Sequence, residues 1–353
     1  MRLKPVSIGD ITLKVPIIQG GMGIGVSLSS LAGAVAKEGG MGVISAAQPG
    51  YNLDEWKKDP LGANLNALGE HIKKAKELSG GGVIGVNIMR ASCDYDKYVQ
   101  CCVDNGADAI ISGAGLPIEL PKLLEGTDMK FAPIVSSLKA AKVLFTLWER
   151  RYKRVSDFVV IEGPKAGGHL GFTADEAVSL TKEQFDSEAK KIIDYVRSYG
   201  KNLGKNIPVF FAGGVFDRKD IDHYLALGAD GVQMATRFVT TVECDAPMSF
   251  KQAYLNASED DIVIVKSPVG MPGRAIRNPY VRLREQEREK ITHCFRCLEK
   301  CDPATTPYCI TMALIRAVRS ESEADDSLIF CGENAFRLNK LTTVKEIFDE
   351  LNS

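Results

Sequence analysis

The stretch Val159–Phe172, VVIEGPKAGGHLGF, passes from an apolar, β-branched run into a carboxylate, a glycine pair and a histidine. A short run that is apolar on both faces reads as a buried parallel strand. Gly167 and Gly168 after it allow backbone to approach a bound group closely. His169 follows them, with an imidazole whose ordinary pKa lies nearest neutrality and which can therefore accept or give a proton at working pH.

Outward from this stretch the same unit repeats. Strands are expected at Val15–Ile18, Gly42–Ile44, Val83–Ile88, Ala109–Ser112, Ala132–Ser136, Phe158–Glu162, Pro208–Ala212 and Gly231–Met234. Amphipathic helices are expected between them, at Leu28–Lys37, Leu68–Leu78, Tyr95–Asn105, Ile118–Leu124, Lys139–Arg151, Lys182–Ser198 and Lys219–Leu227, with a less regular one near Pro247–Leu255. Alternation of this kind implies a parallel sheet. Eight or so units over about 250 residues fit a closed (β/α)8 TIM barrel better than an open doubly wound sheet. Gln48–Ala63, polar and interrupted by Pro49, Gly50 and Pro60, is expected to be a loop lying as a lid over the barrel mouth. From Asp261 the repeat stops. The chain therefore divides into a (β/α)8 barrel over residues 1–260 and a C-terminal extension over 261–353. The extension is read as a Lys/Arg-rich linker, a cysteine-containing appendix and helices near Ile310–Ser320 and Val344–Leu351, packing on the barrel.

Composition narrows the function. The chain has 353 residues, 45% hydrophobic and 25% charged, enough to bury a large core. A formal net charge of −1 offers no global attraction to nucleic acid or an anionic membrane. No apolar run approaches the roughly 20 residues needed to span a bilayer. A cytoplasmic location is the expectation, and the sequence leaves the oligomeric state open, a homodimer included.

In a parallel barrel, functional groups gather where strands end. Here almost every strand ends in small or amide residues: Gly20-Gly21-Met22, Asn87, Ser136-Ser137, Gly167-Gly168-His169, Gly213-Gly214 and Ala235-Thr236. Bare backbone around a barrel mouth suits a planar, polar cofactor. The loops after the last two strands form the usual phosphate site of such barrels, where backbone N–H groups can face an anion. The alternative is that these glycines only make tight turns. Gly21-Met22-Gly23-Ile24-Gly25-Val26 fails the dinucleotide fingerprint, because position 26 is Val.

PIIQGGMG (16–23), GVNI (85–88), EGPKAGGHLG (162–171), FAGGV (211–215), GADGVQMATRF (228–238) and SPVGMPGRAIRN (267–278) together resemble the nitronate monooxygenase (2-nitropropane dioxygenase) family. The FMN-dependent enoyl-ACP reductases share the pattern. The resemblance implies that FMN is held by Gly21, Met22, Asn87, Gly167, Gly168, Gly213, Gly214, Ala235 and Thr236, and that His169 is the catalytic histidine. Ala235 stands where the family motif usually has Gly; its amide still serves a phosphate if φ there is negative. The resemblance implies two activities and does not separate them. In one, a nitronate is oxidised and O2 takes the electrons. In the other, NAD(P)H supplies electrons for reducing an enoyl thioester. A non-catalytic flavin-binding barrel is a third reading. His71 and His223 read as helix residues, while Lys139 and Arg237 are candidate anion partners or surface residues. Glu243 and Cys244 have no assigned role.

Cys294, Cys297, Cys301 and Cys309 lie within sixteen residues. Four thiolates can bind Zn tetrahedrally or hold a [4Fe-4S] cluster, with Cys331 or His293 able to replace one. The competing reading is a set of reduced structural thiols. A cluster favours electron transfer to FMN over oxygen-using chemistry. Cys93, Cys101 and Cys102 read as core or near-core thiols.

Overall fold

The computed structural model describes residues 2–319 and 326–353. In chain order the strands are β1 (Val6–Ile8), β2 (Ile11–Leu13), β3 (Ile17–Gln19), β4 (Met41–Ser45), β5 (Val83–Met89), β6 (Ala109–Gly113), β7 (Lys130–Val135), β8 (Val159–Glu162), β9 (Gly168–His169), β10 (Val209–Ala212), β11 (Gly231–Met234), β12 (Ile262–Lys266) and β13 (Pro272–Ile276). Eight of them, β3 to β8 with β10 and β11, close into a barrel of parallel neighbours. The closing pair joins β11 to β3, with Val232 opposite Ile17. This is the (β/α)8 barrel expected from the sequence, and every expected strand is one of its staves.

The barrel is a packed core. Ile18, Met41, Val43, Ile111, Phe158, Val160 and Phe210 fill its interior. β1 and β2 form an antiparallel hairpin whose Ile8 and Leu13 are fully buried among these residues, sealing one end. A second apolar layer lies between strands and helices, including Leu31, Ile72, Leu144, Ile192 and Ile221. Burial of this kind supplies the main driving force for closure.

Two expectations are corrected. The second long helix runs Pro60–Ser79, so the expected lid loop is shorter than Gln48–Ala63 and also contains a 3-10 turn at Asp54–Lys57. Asp59 starts the helix, accepting from the Gly62 amide at 3.0 Å, with Pro60 at the first helical position. The segment beyond Asp261 is also not a linker. β12 and β13 form an antiparallel hairpin, and β13 pairs in turn with β9. The helix expected at Ile310–Ser320 runs Ile310–Arg319, and Ser320 lies outside the described residues. Val344–Leu351 is helical, as expected.

The extension shares apolar clusters with the barrel rim. Ile24, Tyr51 and Trp56 pack with Ile315, Ile329 and Leu338. Ile347, Phe348 and Leu351 join the layer containing Leu31 and Val35. Glu243 accepts from the Val344 amide at 3.1 Å, fixing the start of the last helix, and Cys244 is buried with its thiol facing the Val26 carbonyl. Among the described residues, no helix is long and apolar enough to cross a membrane.

Candidate active site

A cavity of about 450 Å³ opens at the ends of the barrel strands. That is a size suited to a cofactor or small ligand. All ten residues expected from the sequence stand on its wall. Gly21 and Met22 come from the loop after β3, and Asn87 from β5. Gly167, Gly168 and His169 follow β8, Gly213 and Gly214 follow β10, and Ala235 and Thr236 follow β11.

Each loop has a local cause. The Met22 amide donates to Ser27 Oγ at 2.7 Å and the Ser27 amide to the Met22 carbonyl at 3.0 Å, closing the first loop on itself. A Cβ on Gly21 would stand 2.4 Å from Asn87 Cβ, so the Asn87 side chain occupies the space a side chain at position 21 would need. Gly213 and Gly214 have φ of +97° and +88°, a pair of conformations that side chains resist. Ala235 has φ −127°, so the alanine at this position carries no backbone strain and keeps its amide. Gln233 also faces the cavity, and its buried Oε1 has no hydrogen-bond partner among the described residues.

His169 sits on β9, and β9 is held by β13 with Gly273 opposite His169. His169 Nε2 lies 2.7 Å from Ser267 Oγ, and Phe330 meets the ring edge-on at 4.9 Å. Burial lowers the imidazole pKa to about 4, so it is neutral at physiological pH. Glu162 ends β8 and faces the same cavity. It accepts from the Gly171 amide at 2.9 Å and from Ser136 Oγ at 3.3 Å. Burial outweighs these bonds and raises its carboxyl to about 7. The usual order is therefore inverted: the carboxyl holds its proton more tightly than the imidazole. Environments that drive two titratable groups apart in this way assign acid and base roles.

The inversion has a stability consequence. Between about pH 4.5 and 7 the folded protein keeps a proton on Glu162 that the unfolded chain has released, so the group's contribution falls as pH rises through that window. Glu162→Gln has no such loss. Its urea midpoint relative to the parent is expected to be higher at about pH 8 than at about pH 5; an unchanged difference would count against a raised carboxyl.

The loop carrying His169 is pinned by a residue the sequence reading did not single out. Arg274, on β13 and 4% exposed, donates through Nη1 to the carbonyls of Pro164 at 2.7 Å and Ala166 at 2.6 Å, and through Nη2 to that of Ala177 at 3.2 Å. Glu333 lies 3.4 Å away as its counter-charge. Lys165, also on the cavity wall, pairs with Glu333 at 2.7 Å. Arg296 is exposed at the mouth and makes no ion pair among the described residues. Lys139 and Arg237 do not line the cavity, which removes them as anion partners. Lys139 is exposed, and Arg237 forms a bidentate pair with Glu350 at 3.0 and 2.7 Å. His71 lies 3.1 Å from Ser29 Oγ and His223 pairs with Asp186 at 2.8 Å, both away from the cavity.

The cysteine segment lies against the mouth. Phe295 stacks on Trp56 at 4.5 Å, and the Cys93 amide donates to the Cys297 carbonyl at 3.2 Å. Cys294, Cys297, Cys301 and Cys309 line a second cavity, of about 240 Å³, together with His293 and Cys93. Cys93 is thus not a core thiol, whereas Cys101 and Cys102 are buried. Cys331 is no substitute ligand: it is buried against Gly167 on the main cavity, its amide bonded to the Arg274 carbonyl. Among the described residues, no group of three or more His, Cys, Asp and Glu side chains is arranged to hold a metal ion.

The sequence matches the nitronate monooxygenase family over residues 4–353. The chain belongs to that family. It is an FMN-dependent oxidoreductase. It is 26% identical over 318 residues to the probable nitronate monooxygenase of Staphylococcus saprophyticus, covering 82% of this chain and 83% of that protein. It is 28% identical over 285 residues to the (3aS,4S,5R,7aS)-5-hydroxy-7a-methyl-1-oxo-octahydro-1H-indene-4-carboxyl-CoA dehydrogenase of Mycobacterium tuberculosis, covering 81% and 69%. FabK from Thermotoga maritima superposes with a TM-score of 0.70 at 27% identity, covering 95% of this chain and 91% of that one. Nitroalkane oxidase from Streptomyces ansochromogenes shares the fold at a TM-score of 0.69 and 20% identity.

For a family member of this kind, Gly21→Ala is a sharp probe. The new methyl must displace Asn87, at a cost of about 1–3 kcal/mol. FMN affinity is expected to fall by about ten- to a hundredfold, read by fluorescence titration of the apoprotein. Unchanged affinity would take the Gly21–Asn87 contact out of the cofactor site.

Proposed function

We propose that this enzyme oxidises small alkyl nitronates, and nitroalkanes that it first deprotonates, with FMN held in the main cavity and O2 as final electron acceptor. The cavity's own features support FMN as occupant. Gln233 Oε1 is a buried acceptor in need of a donor. Gly21 and Asn87 stand side by side on the wall beside which a flat ring would lie, and the Gly213-Gly214 and Ala235-Thr236 backbones offer amides to a phosphate. Bound FMN supplies the two-electron acceptor.

The observation that carries the reading is the neutral imidazole of His169, steadied by Ser267 and facing the cavity. A neutral imidazole can accept the α-proton of a nitroalkane. Nδ1 has no hydrogen-bond partner among the described residues and is the atom assigned to take it. Arg296 at the mouth attracts an anionic nitronate. Phe330 and Phe295 supply apolar wall beside the imidazole and at the mouth.

Arg296 also favours a second reading, reduction of an enoyl thioester with electrons from NAD(P)H, because the carrier of such a thioester bears phosphate. There Glu162, protonated near neutrality, is the donor to the substrate. Anaerobic flavin bleaching separates the two. Rapid bleaching by an alkyl nitronate alone is expected; bleaching by NAD(P)H alone, with none by nitronate, would replace the first reading by the second.

A further inference from the structure

The second cavity is walled by four cysteines whose spacing none of the chemistry above uses. Two of their sulfurs receive a hydrogen bond, and donors stand beside the other two. The Arg296 amide meets Cys294 Sγ at 3.4 Å and Thr311 Oγ1 meets Cys297 Sγ at 2.9 Å. The Thr306 hydroxyl lies beside Cys301, and the Thr311 and Met312 amides beside Cys309. Inert core thiols have no need of four separate sets of donors, whereas metal-bound thiolates are tuned and oriented by them. The supporting loop is shaped for it: Arg296, between the first two cysteines, takes φ +49°. The segment is also anchored. Ser92 bridges to Leu298, the Glu299 amide donates to the Ala91 carbonyl at 3.0 Å, and Arg90 pairs with Glu299 at 2.8 Å.

The cavity's size decides between occupants. Among the described residues the sulfurs do not converge on one point, as zinc needs at about 2.3 Å, and a cluster too has to draw them in. A volume of about 240 Å³ is also far larger than one ion fills. A cubane of four irons and four sulfides is a body rather than a point, and it takes its thiolates at separate corners.

We propose that Cys294, Cys297, Cys301 and Cys309 ligate a [4Fe-4S] cluster in this second cavity. Each thiol releases its proton as its sulfur takes one iron. Cys93, Phe295, Arg296, Cys297, Leu298 and Ile310 wall both cavities. The cluster thus lies beside the flavin cavity, placed to exchange single electrons with a group held there. The assignment does not rest on the substrate given above, but a cluster here favours electron transfer to or from the flavin over O2 as the final acceptor.

The test is anaerobic purification of the holoenzyme with iron, zinc and acid-labile sulfide analysis, followed by electron paramagnetic resonance after dithionite reduction. About four iron and four sulfide per chain, with a reduced-cluster signal, is the expected result. One zinc without sulfide, or no metal after anaerobic reconstitution with iron and sulfide, overturns it. Cys309→Ser and Cys297→Ser are expected to lose most of the iron and the signal while keeping flavin, which shows that the barrel has folded. Cys93→Ser is expected to keep both. Full iron in the Cys297 and Cys309 variants, or its equal loss in the Cys93 variant, overturns the ligand assignment. Should a ligand variant lose flavin as well, iron analysis of the parent decides alone.

Discussion

Replacing His169 by asparagine is expected to leave FMN bound and to lower kcat/KM for neutral nitroalkanes by about 10²–10⁴-fold, the usual worth of a positioned base. Asparagine places its amide near the position of Nδ1 but cannot take a proton. A nitronate prepared beforehand needs no base, so its rate is expected to fall much less. Equal losses for the two substrates would remove proton abstraction from the role of His169. The pH profile gives a second check. With the imidazole pKa at about 4, the base form is present above that pH, so the parent's rate rises through about 4 and is flat across neutrality, and the variant lacks that limb. The same shift bears on stability. The unfolded chain takes up a proton on this histidine below about 6.5, while the folded protein resists until about 4, so its stabilising effect is lost as pH falls through that range. Glu162 acts in the opposite direction, and between about pH 4.5 and 6.5 the two largely cancel.

Arg274→Ala is expected to be as damaging from a greater distance. It strips two carbonyls of the His169 loop, and that of Ala177 in the helix after it, of their donor and leaves Glu333 with one cationic partner fewer. Leaving a buried acceptor without its donor costs about 1–3 kcal/mol, and a loop displaced by about 1 Å costs on the order of a hundredfold in turnover. The expected result is a clear fall in Tm together with a kcat loss that persists in the flavin-loaded, folded fraction. Arg274→Lys, with one point charge in place of a fork, is expected to recover little. Normal kcat per folded molecule would reduce Arg274 to a purely structural residue.

The barrel was legible because its strands are buried on both faces and so read as unbroken apolar runs, as VVI and VFFA do. The cavity wall was legible because loops that bring backbone to a ligand leave glycines behind. What escaped reading depended on distant partners. Ile262–Lys266 is apolar enough for a strand, but its mate lies beyond Ser267–Met271, and its role became visible only once β13 was seen to pair with β9. Arg274 gives no local sign that its fork spans carbonyls about a hundred residues away. Arg237 follows a strand as a phosphate partner would, yet Glu350 claims it. Cys331 is near the other cysteines in sequence but faces another wall.

The sheet that seats His169 joins a two-residue strand in the middle of the chain to a hairpin made roughly a hundred residues later. The last barrel stave, β11, ends at Met234, before that hairpin begins. During synthesis on the ribosome all eight staves can therefore emerge and close while the imidazole still swings free. Ser267 and Arg274 are made only after every stave, so the seat of His169 is completed later than the barrel that carries it.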